Sequence, residues 1–302
     1  MLNKKPDTTL YCIIARSAPT AVIFRRGPSK QVLLIKWNLR DDTFEYGQWF
    51  KGRIYERRCD LSPSGEKLIY FAANFKNNGP GSWYAISKPP YLSALAMWPI
   101  GDTWGRGGLF LTERDIYIDE PFKPDGDSVL SKNVNVVNPR EGKLPDYVTD
   151  KNSGASWYYA MPHSRLIRDG WHFIQNRQVG PGGPEEVFDK PMIYSKKSPR
   201  RNNFILHMKL TGERHDKKNH SIGAYMNYEV MVDGNSIVSL PQKSWVDWDH
   251  NGDLLFEDGG KLFRLQSTDK IENFTLDNAK EIADFSDLEF EEKAPPKDAL
   301  EW

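Results

Sequence analysis

The chain has 302 residues, of which 39% are hydrophobic and 27% charged, with 41 basic and 41 acidic side chains. That length allows one large or two ordinary domains around a substantial core. The zero formal charge gives no whole-molecule field directed at nucleic acid or at a membrane surface.

Strand signals dominate from the start. Residues 11–15, 20–24 and 31–37 are short β-branched or aromatic runs, separated by Ala18-Pro19 and by Arg26-Gly27-Pro28-Ser29. Turn signals every 8 to 12 residues or so predict a meander of hairpins. Residues 43–54 extend it, 61–66 turn, and 67–73, 83–87, 92–98, 108–111 and 115–118 continue the strands. Segment 119–155 is rich in Pro, Asp, Gly and Asn and reads as a long connection, with a weak strand at 134–137. Strands resume at 156–160 and 171–175, and Gly180-Pro181-Gly182-Gly183-Pro184 is a rigid turn. Residues 192–195, 203–210, 223–232, 236–240, 254–256 and 261–265 complete the β content, with 212–219 as a charged, exposed loop. The one helix expected covers 276–284, capped by Thr275 or Asp277. Residues 1–285 thus form a single domain, and 286–302 an acidic, proline-containing tail with little to anchor it.

So much strand and so little helix leaves a sandwich, barrel or propeller. Asp60-Leu-Ser-Pro-Ser-Gly-Glu-Lys-Leu-Ile-Tyr-Phe71 and Asp247-Trp-Asp-His-Asn-Gly-Asp-Leu-Leu-Phe256 repeat one order: an acidic residue, a polar turn with Gly, then an apolar strand. The first resembles the hairpin of TolB-type and WD40-type β-propellers. That resemblance implies an all-β propeller, and at roughly 40–50 residues per blade the length fits about five to seven blades. A pair of β-sandwiches is the alternative. Gly52-Arg-Ile-Tyr-Glu-Arg-Arg-Cys-Asp-Leu-Ser-Pro63, Lys88-Pro-Pro-Tyr-Leu92 and Gly101-Asp-Thr-Trp-Gly-Arg-Gly-Gly-Leu-Phe110 also resemble a bacterial family, from which no catalytic residue carries over.

Four patterns bear on chemistry. Asp247, Asp249, Asn251, Asp253 and Asp258 space oxygen ligands at alternate positions around Gly252, with a carboxylate at the twelfth position. Calcium loops use that spacing; the same residues also build an Asx turn, with the side chains bonding local backbone. The glycine-rich 101–108 carries Trp104 and Arg106 and is read as a turn or a partner-contacting loop, since no helix follows to complete a phosphate site. Arg53, Glu56, Arg57, Arg58 and Asp60 form a dense charged cluster beside Tyr55. Strand alternation would put Arg57 and Cys59 on one face and Glu56, Arg58 and Asp60 on the other. Arg214 and His215 fall in the charged loop. Two cysteines, Cys12 and Cys59, make neither a disulfide framework nor a paired-cysteine metal site and are expected as buried free thiols.

No histidine pair has metal-ligand spacing, and no G-x-S-x-G elbow is present. No apolar run approaches the roughly 20 residues of a membrane span, and 10–15 is too short for a signal core. These features predict a cytoplasmic, non-enzymatic protein–protein interaction module with no nucleic-acid or membrane partner and no cofactor beyond a structural calcium. Trp104, Arg106, Arg57, Arg58, Arg214 and His215 are its expected contacts. An immunity protein that neutralises a cognate bacterial toxin is the specific form of that reading. The alternative is an enzyme or binder acting on a glycan or small polar ligand in a central propeller pocket.

Overall fold

In a computed structural model, the structure describes residues 8–27, 30–75, 79–103, 107–118, 132–137, 144–149, 160–179, 185–216 and 221–302. Among the described residues the chain is all-β, built of several mainly antiparallel sheets, none closed into a barrel or propeller. It divides into two compact units. One comprises Met1–Asp150, Trp157–Arg165 and Phe285–Trp302, the other Lys151–Ser156 and Leu166–Asp284.

The first unit opens with the expected meander: β1 (Thr9–Ile14), β2 (Thr20–Arg26), β3 (Gln31–Asn38) and β4 (Thr43–Lys51), in spatial order β1-β2-β3-β4. β1 to β3 read as nearly continuous apolar runs and are buried on both faces. β4, with its alternating polar residues, is the half-exposed outer strand. A second sheet holds β5 (Arg53–Ile54), β6 (Asp60–Leu61), β7 (Leu68–Asn74), β8 (Gly81–Ser87) and β9 (Ala96–Pro99). The third holds β10 (Gly108–Phe110), β11 (Asp115–Ile118) and β12 (Asn135–Val136), with β11 and β12 parallel. Ile69, Phe71, Tyr84, Ile86, Trp98, Phe110 and Ile116 close one core across the second and third sheets.

The Leu61–Glu66 turn forms as expected. Ser62 and Lys67 pair across it, and Gly65 adopts φ +78°. Glu113 then clamps it, accepting from the Ser64 N–H at 2.5 Å and the Ser64 hydroxyl at 3.0 Å. Asp60, fully buried, accepts the Phe110 N–H at 2.7 Å and so ties β6 to β10.

Two short helices follow, α1 (Asp146–Thr149) and α2 (Ala160–Arg168). α2 begins at the last residue of the strand expected over 156–160; the rest of that strand and most of 119–155 lie outside the described residues. The second unit contains a sheet of β13 (His172–Gln175), β14 (Gln178–Val179), β15 (Glu185–Lys197), β16 (Phe204–Asp216), β17 (Ser221–Val232) and β18 (Asn235–Leu240), in the order β13-β15-β16-β17-β18 with β14 also on β15. Its other sheet is β19 (Val246–Trp248), β20 (Leu254–Asp258), β21 (Lys261–Leu265) and β22 (Lys280–Asp284).

Three expectations are corrected here. Residues 212–216 are not a loop: β16 runs from Phe204 to Asp216, paired by β17 on both sides of an irregularity at Thr211, while 217–219 of the expected loop lie outside the described residues. The helix over 276–284 is absent. Leu276–Asn278 makes one 3₁₀ turn, and 280–284 pair with β21 as its outer strand, where partner backbone outweighs a weak local helix preference. The tail is anchored. Arg25 donates to the Phe285 and Ser286 carbonyls, each at 2.9 Å, and Phe285 is buried against Phe44 and Tyr46.

Candidate functional site

The densest cluster of functional groups in the first unit lies at residues 53–60. Residues Glu56–Arg58 form a 3₁₀ turn rather than a strand. This turn replaces the expected alternation of faces and sends neighbouring arginines to different depths. Arg58 turns inward and is 5% exposed. It donates to the Thr103 carbonyl at 2.8 Å, and its guanidinium lies 4.8 Å from the Tyr55 ring centre and 5.5 Å from that of Phe71. That corrects its assignment as a partner contact, since its donors serve the core.

Arg57 stays half-buried, over the Tyr11 ring at 5.1 Å. Arg165 of α2 reaches the same ring, donating to the Tyr11 hydroxyl and to the Cys59 carbonyl at 2.5 Å. Cys59 itself is buried, as is Cys12, and both are free thiols. Burial pushes the Cys59 thiol far above its ordinary value, so it is held protonated and inert.

The accessible side of the cluster is made by Arg26, Arg53, Tyr55, Glu56 and Arg57. Arg26 bridges to Glu56 at 3.1 Å. Burial opposes ionisation of Glu56, but Arg26, its own backbone N–H, Arg57 and Arg53 outweigh it. The carboxyl is therefore held below its ordinary value and is charged at neutral pH. Arg53 stacks on Tyr55 at 4.6 Å, and its buried Nε has no hydrogen-bond acceptor among the described residues. Three guanidinium groups thus share one carboxylate on a half-buried aromatic bed. Such a surface attracts a further anionic group.

The 247–258 segment is a hairpin held by local bonds and protein cations. Asp249 Oδ1 accepts the N–H groups of Asn251 at 2.8 Å and Asp253 at 2.9 Å, and Gly252 turns the chain at φ +80°. Arg264 binds both Asp249 Oδ2 and, at 2.9 Å, Asp253 Oδ2. Asp247 pairs with Lys196 at 2.7 Å and Asp258 with Lys243 at 2.6 Å. Burial raises the Asp247 carboxyl above its usual range, with Lys196 opposing. Asp247 and Asp258 are therefore drawn to separate lysines, while Asp249 and Asp253 share Arg264, which brings them the positive charge that calcium would supply. Among the described residues, no group of three or more His, Cys, Asp or Glu side chains is arranged to hold a metal ion.

Trp104 and Arg106 lie outside the described residues. Arg214 and His215 lie in β16, with backbone partners Gly223 and Ile222. Sequence reasoning found Arg53, Glu56 and Arg57 but not Tyr11, Arg26 or Arg165. These come from a strand, a strand end and a helix far away in the chain, and only the fold brings them together. Among the described residues, no helix is long and apolar enough to cross a membrane. In comparison with known proteins, the chain matches no protein-family model and no curated protein.

Proposed function

We propose that the chain is a protein-recognition module that receives an acidic side chain of its partner on the Arg26–Arg53–Tyr55–Arg57 face. Arg53 carries this reading: it is half-exposed, and its guanidinium is stacked on the Tyr55 ring and partly desolvated there. Arginine and tyrosine held rigidly in this way are the usual anchors of protein interfaces, and such an anchor contributes about 2 kcal/mol or more, roughly 30-fold in affinity. The specific form of the reading is an immunity protein that blocks a bacterial toxin by covering an acidic patch on it.

The test uses immobilised wild-type chain beside an Arg53→Ala chain, with proteins from the native host and the products of adjacent genes. A single protein bound by the wild type and weakened roughly 30-fold by Arg53→Ala supports the reading. Equal binding by both chains refutes the site.

For the architecture we infer propeller blades, about five to seven in number. The support is that the meanders follow one another in sequence, and that within the first unit β6 lies beside both β1 and β10. An experimental structure with the sheets stacked face to face as sandwiches would refute it.

A further inference from the structure

A face that receives anions has a carboxylate built into it. The Glu56 side chain is 18% exposed and pairs with Arg26 at 3.1 Å. Its backbone is fixed by the 3₁₀ turn, in which the Arg58 N–H donates to the Tyr55 carbonyl at 2.8 Å and the Cys59 N–H to the Glu56 carbonyl at 3.2 Å. The charged groups around it are engaged inward. Arg58 donates to the Thr103 carbonyl, Arg165 to the Tyr11 hydroxyl and the Cys59 carbonyl, and Asp60 accepts the Phe110 N–H. Arg57 lies over the Tyr11 ring. Arg53, half-exposed on the Tyr55 ring, completes the accessible side with Arg26. Glu56 is close enough to Arg26, Arg57 and Arg53 for all three to hold its carboxyl below the ordinary value.

An anion on Arg53 therefore meets a fixed negative charge as well as positive ones. Guanidinium forks bind carboxylate and phosphoryl groups alike, so hydrogen-bond geometry does not separate the two. Charge does. A carboxylate carries one negative charge and a phosphate monoester nearly two at neutral pH, so repulsion by Glu56 is about twice as large for the second. Attraction to the arginines scales in the same way, but the charge of Arg26 is already offset by Glu56, and the second charge of a dianion gains little there. A repulsive group set among attractive ones is a recognised source of specificity.

We propose that Glu56 is the specificity-determining residue of this face, which it biases toward the single charge of a carboxylate and against the double charge of a phosphoryl group. The inference rests on the anion-receiving reading of the Arg53 face and adds the class of acidic group that the face takes. Replacing Glu56 by Gln removes the repulsion and keeps the shape. One unit charge a few ångströms away in solvent changes the affinity of a monoanion about fivefold, and that of a dianion by the square of that factor, about 25-fold. The preference therefore moves about fivefold toward the phosphoryl group. Any loosening of Arg26 in the variant acts on both ligands and cancels in the ratio.

The test titrates acetate and methyl phosphate, at about pH 7.5 and constant ionic strength, into full-length wild-type, Glu56→Gln and Glu56→Asp chains. The Arg53 side-chain N–H resonance is followed by NMR. In wild type, acetate should bind at least as tightly as methyl phosphate. The ratio of the two dissociation constants should move about fivefold toward methyl phosphate in Glu56→Gln and stay within about twofold of wild type in Glu56→Asp, which keeps the charge. A Glu56 that only supports the fold would change both affinities alike and leave the ratio where it was. The wild-type comparison needs no substitution, so the inference stays testable if Glu56→Gln destabilises the chain. An unchanged ratio in Glu56→Gln, or tighter binding of methyl phosphate than of acetate by wild type, overturns the inference and leaves the Arg53 reading standing. An Arg53 resonance that neither anion moves in any of the three chains overturns both.

Discussion

Replacing Arg264 by Met tests whether the 247–258 hairpin is a cation-bridged turn. Asp249 is 2% exposed and loses its guanidinium partner, while Met approximates the aliphatic stem. Breaking a buried ion pair by removing one member costs about 3–5 kcal/mol, because the other charge is left desolvated. Asp249 keeps two backbone N–H donors, which places this variant at the low end, about 3 kcal/mol. At roughly 2–4 °C per kcal/mol for a chain of this size, the thermal midpoint falls by about 6–12 °C. Circular dichroism melts of Arg264→Met, Asp249→Asn and the double variant close a thermodynamic cycle, with an expected coupling of about 2 kcal/mol. Wild type should melt at the same temperature with calcium or chelator. A midpoint unchanged by Arg264→Met, or a calcium-dependent rise in wild type that Asp249→Asn removes, would refute the reasoning and restore the metal loop.

Two further outcomes follow from the cluster at 53–60. Because the folded-state pKa of Glu56 is depressed, its ionised form stabilises the fold above the ordinary value of 4.5. That contribution is lost as pH falls through the lower folded value. The stability gap between wild type and Glu56→Gln, measured by denaturant titration, should be constant near neutrality and shrink in acid; a gap that widens in acid contradicts the assigned pairing. Cys12 and Cys59 should resist a thiol-specific reagent in the native chain and react fully once unfolded, and stoichiometric native labelling of Cys59 would show that its burial is wrong.

The sequence was most legible where local chemistry and tertiary demand agree. The runs at 11–15, 20–24 and 31–37 are apolar enough to be buried on both faces, and β1, β2 and β3 form there. The Ser-Pro-Ser-Gly turn carries its own hydrogen-bond partners, so it too could be read directly. Legibility ended where long-range pairing decides. Residues 212–216 are charged and look like a loop, yet β17 supplies backbone partners for each of Gly212–Asp216. Lys280–Asp284 is short and polar, and takes its strand form from β21. The calcium spacing of 247–258 was real, but pattern alone could not show Arg264 arriving from β21 to neutralise it. The Arg53 cluster was half legible: the charges are contiguous in sequence, but Tyr11, Arg26 and Arg165 are supplied by the fold.

Gly52 links the Arg53 face to the contact that holds Phe290 of the C-terminal segment. It sits between Lys51, which caps Phe290, and Arg53, which stacks on Tyr55, so one turn of backbone sets the aim of both cations. That turn is pinned: the Gly52 N–H donates to the Lys30 carbonyl at 2.9 Å, and Asn74 donates to the Lys51 carbonyl at 3.0 Å. A Cβ at Gly52 would lie 2.4 Å from the Phe50 ring and 2.8 Å from the Ala73 carbonyl oxygen. The ring can swing away, but the carbonyl belongs to β7 and cannot move without disturbing the second sheet. Gly52→Ala should therefore cost about 1–3 kcal/mol. It should also weaken two things together, the capture that depends on Arg53 and the hold of Lys51 on Phe290, the latter read as faster hydrogen exchange over 287–302. A Gly52→Ala chain that keeps full partner capture and an unchanged tail would mean that the two cations are aimed by their own packing and not by the corner between them.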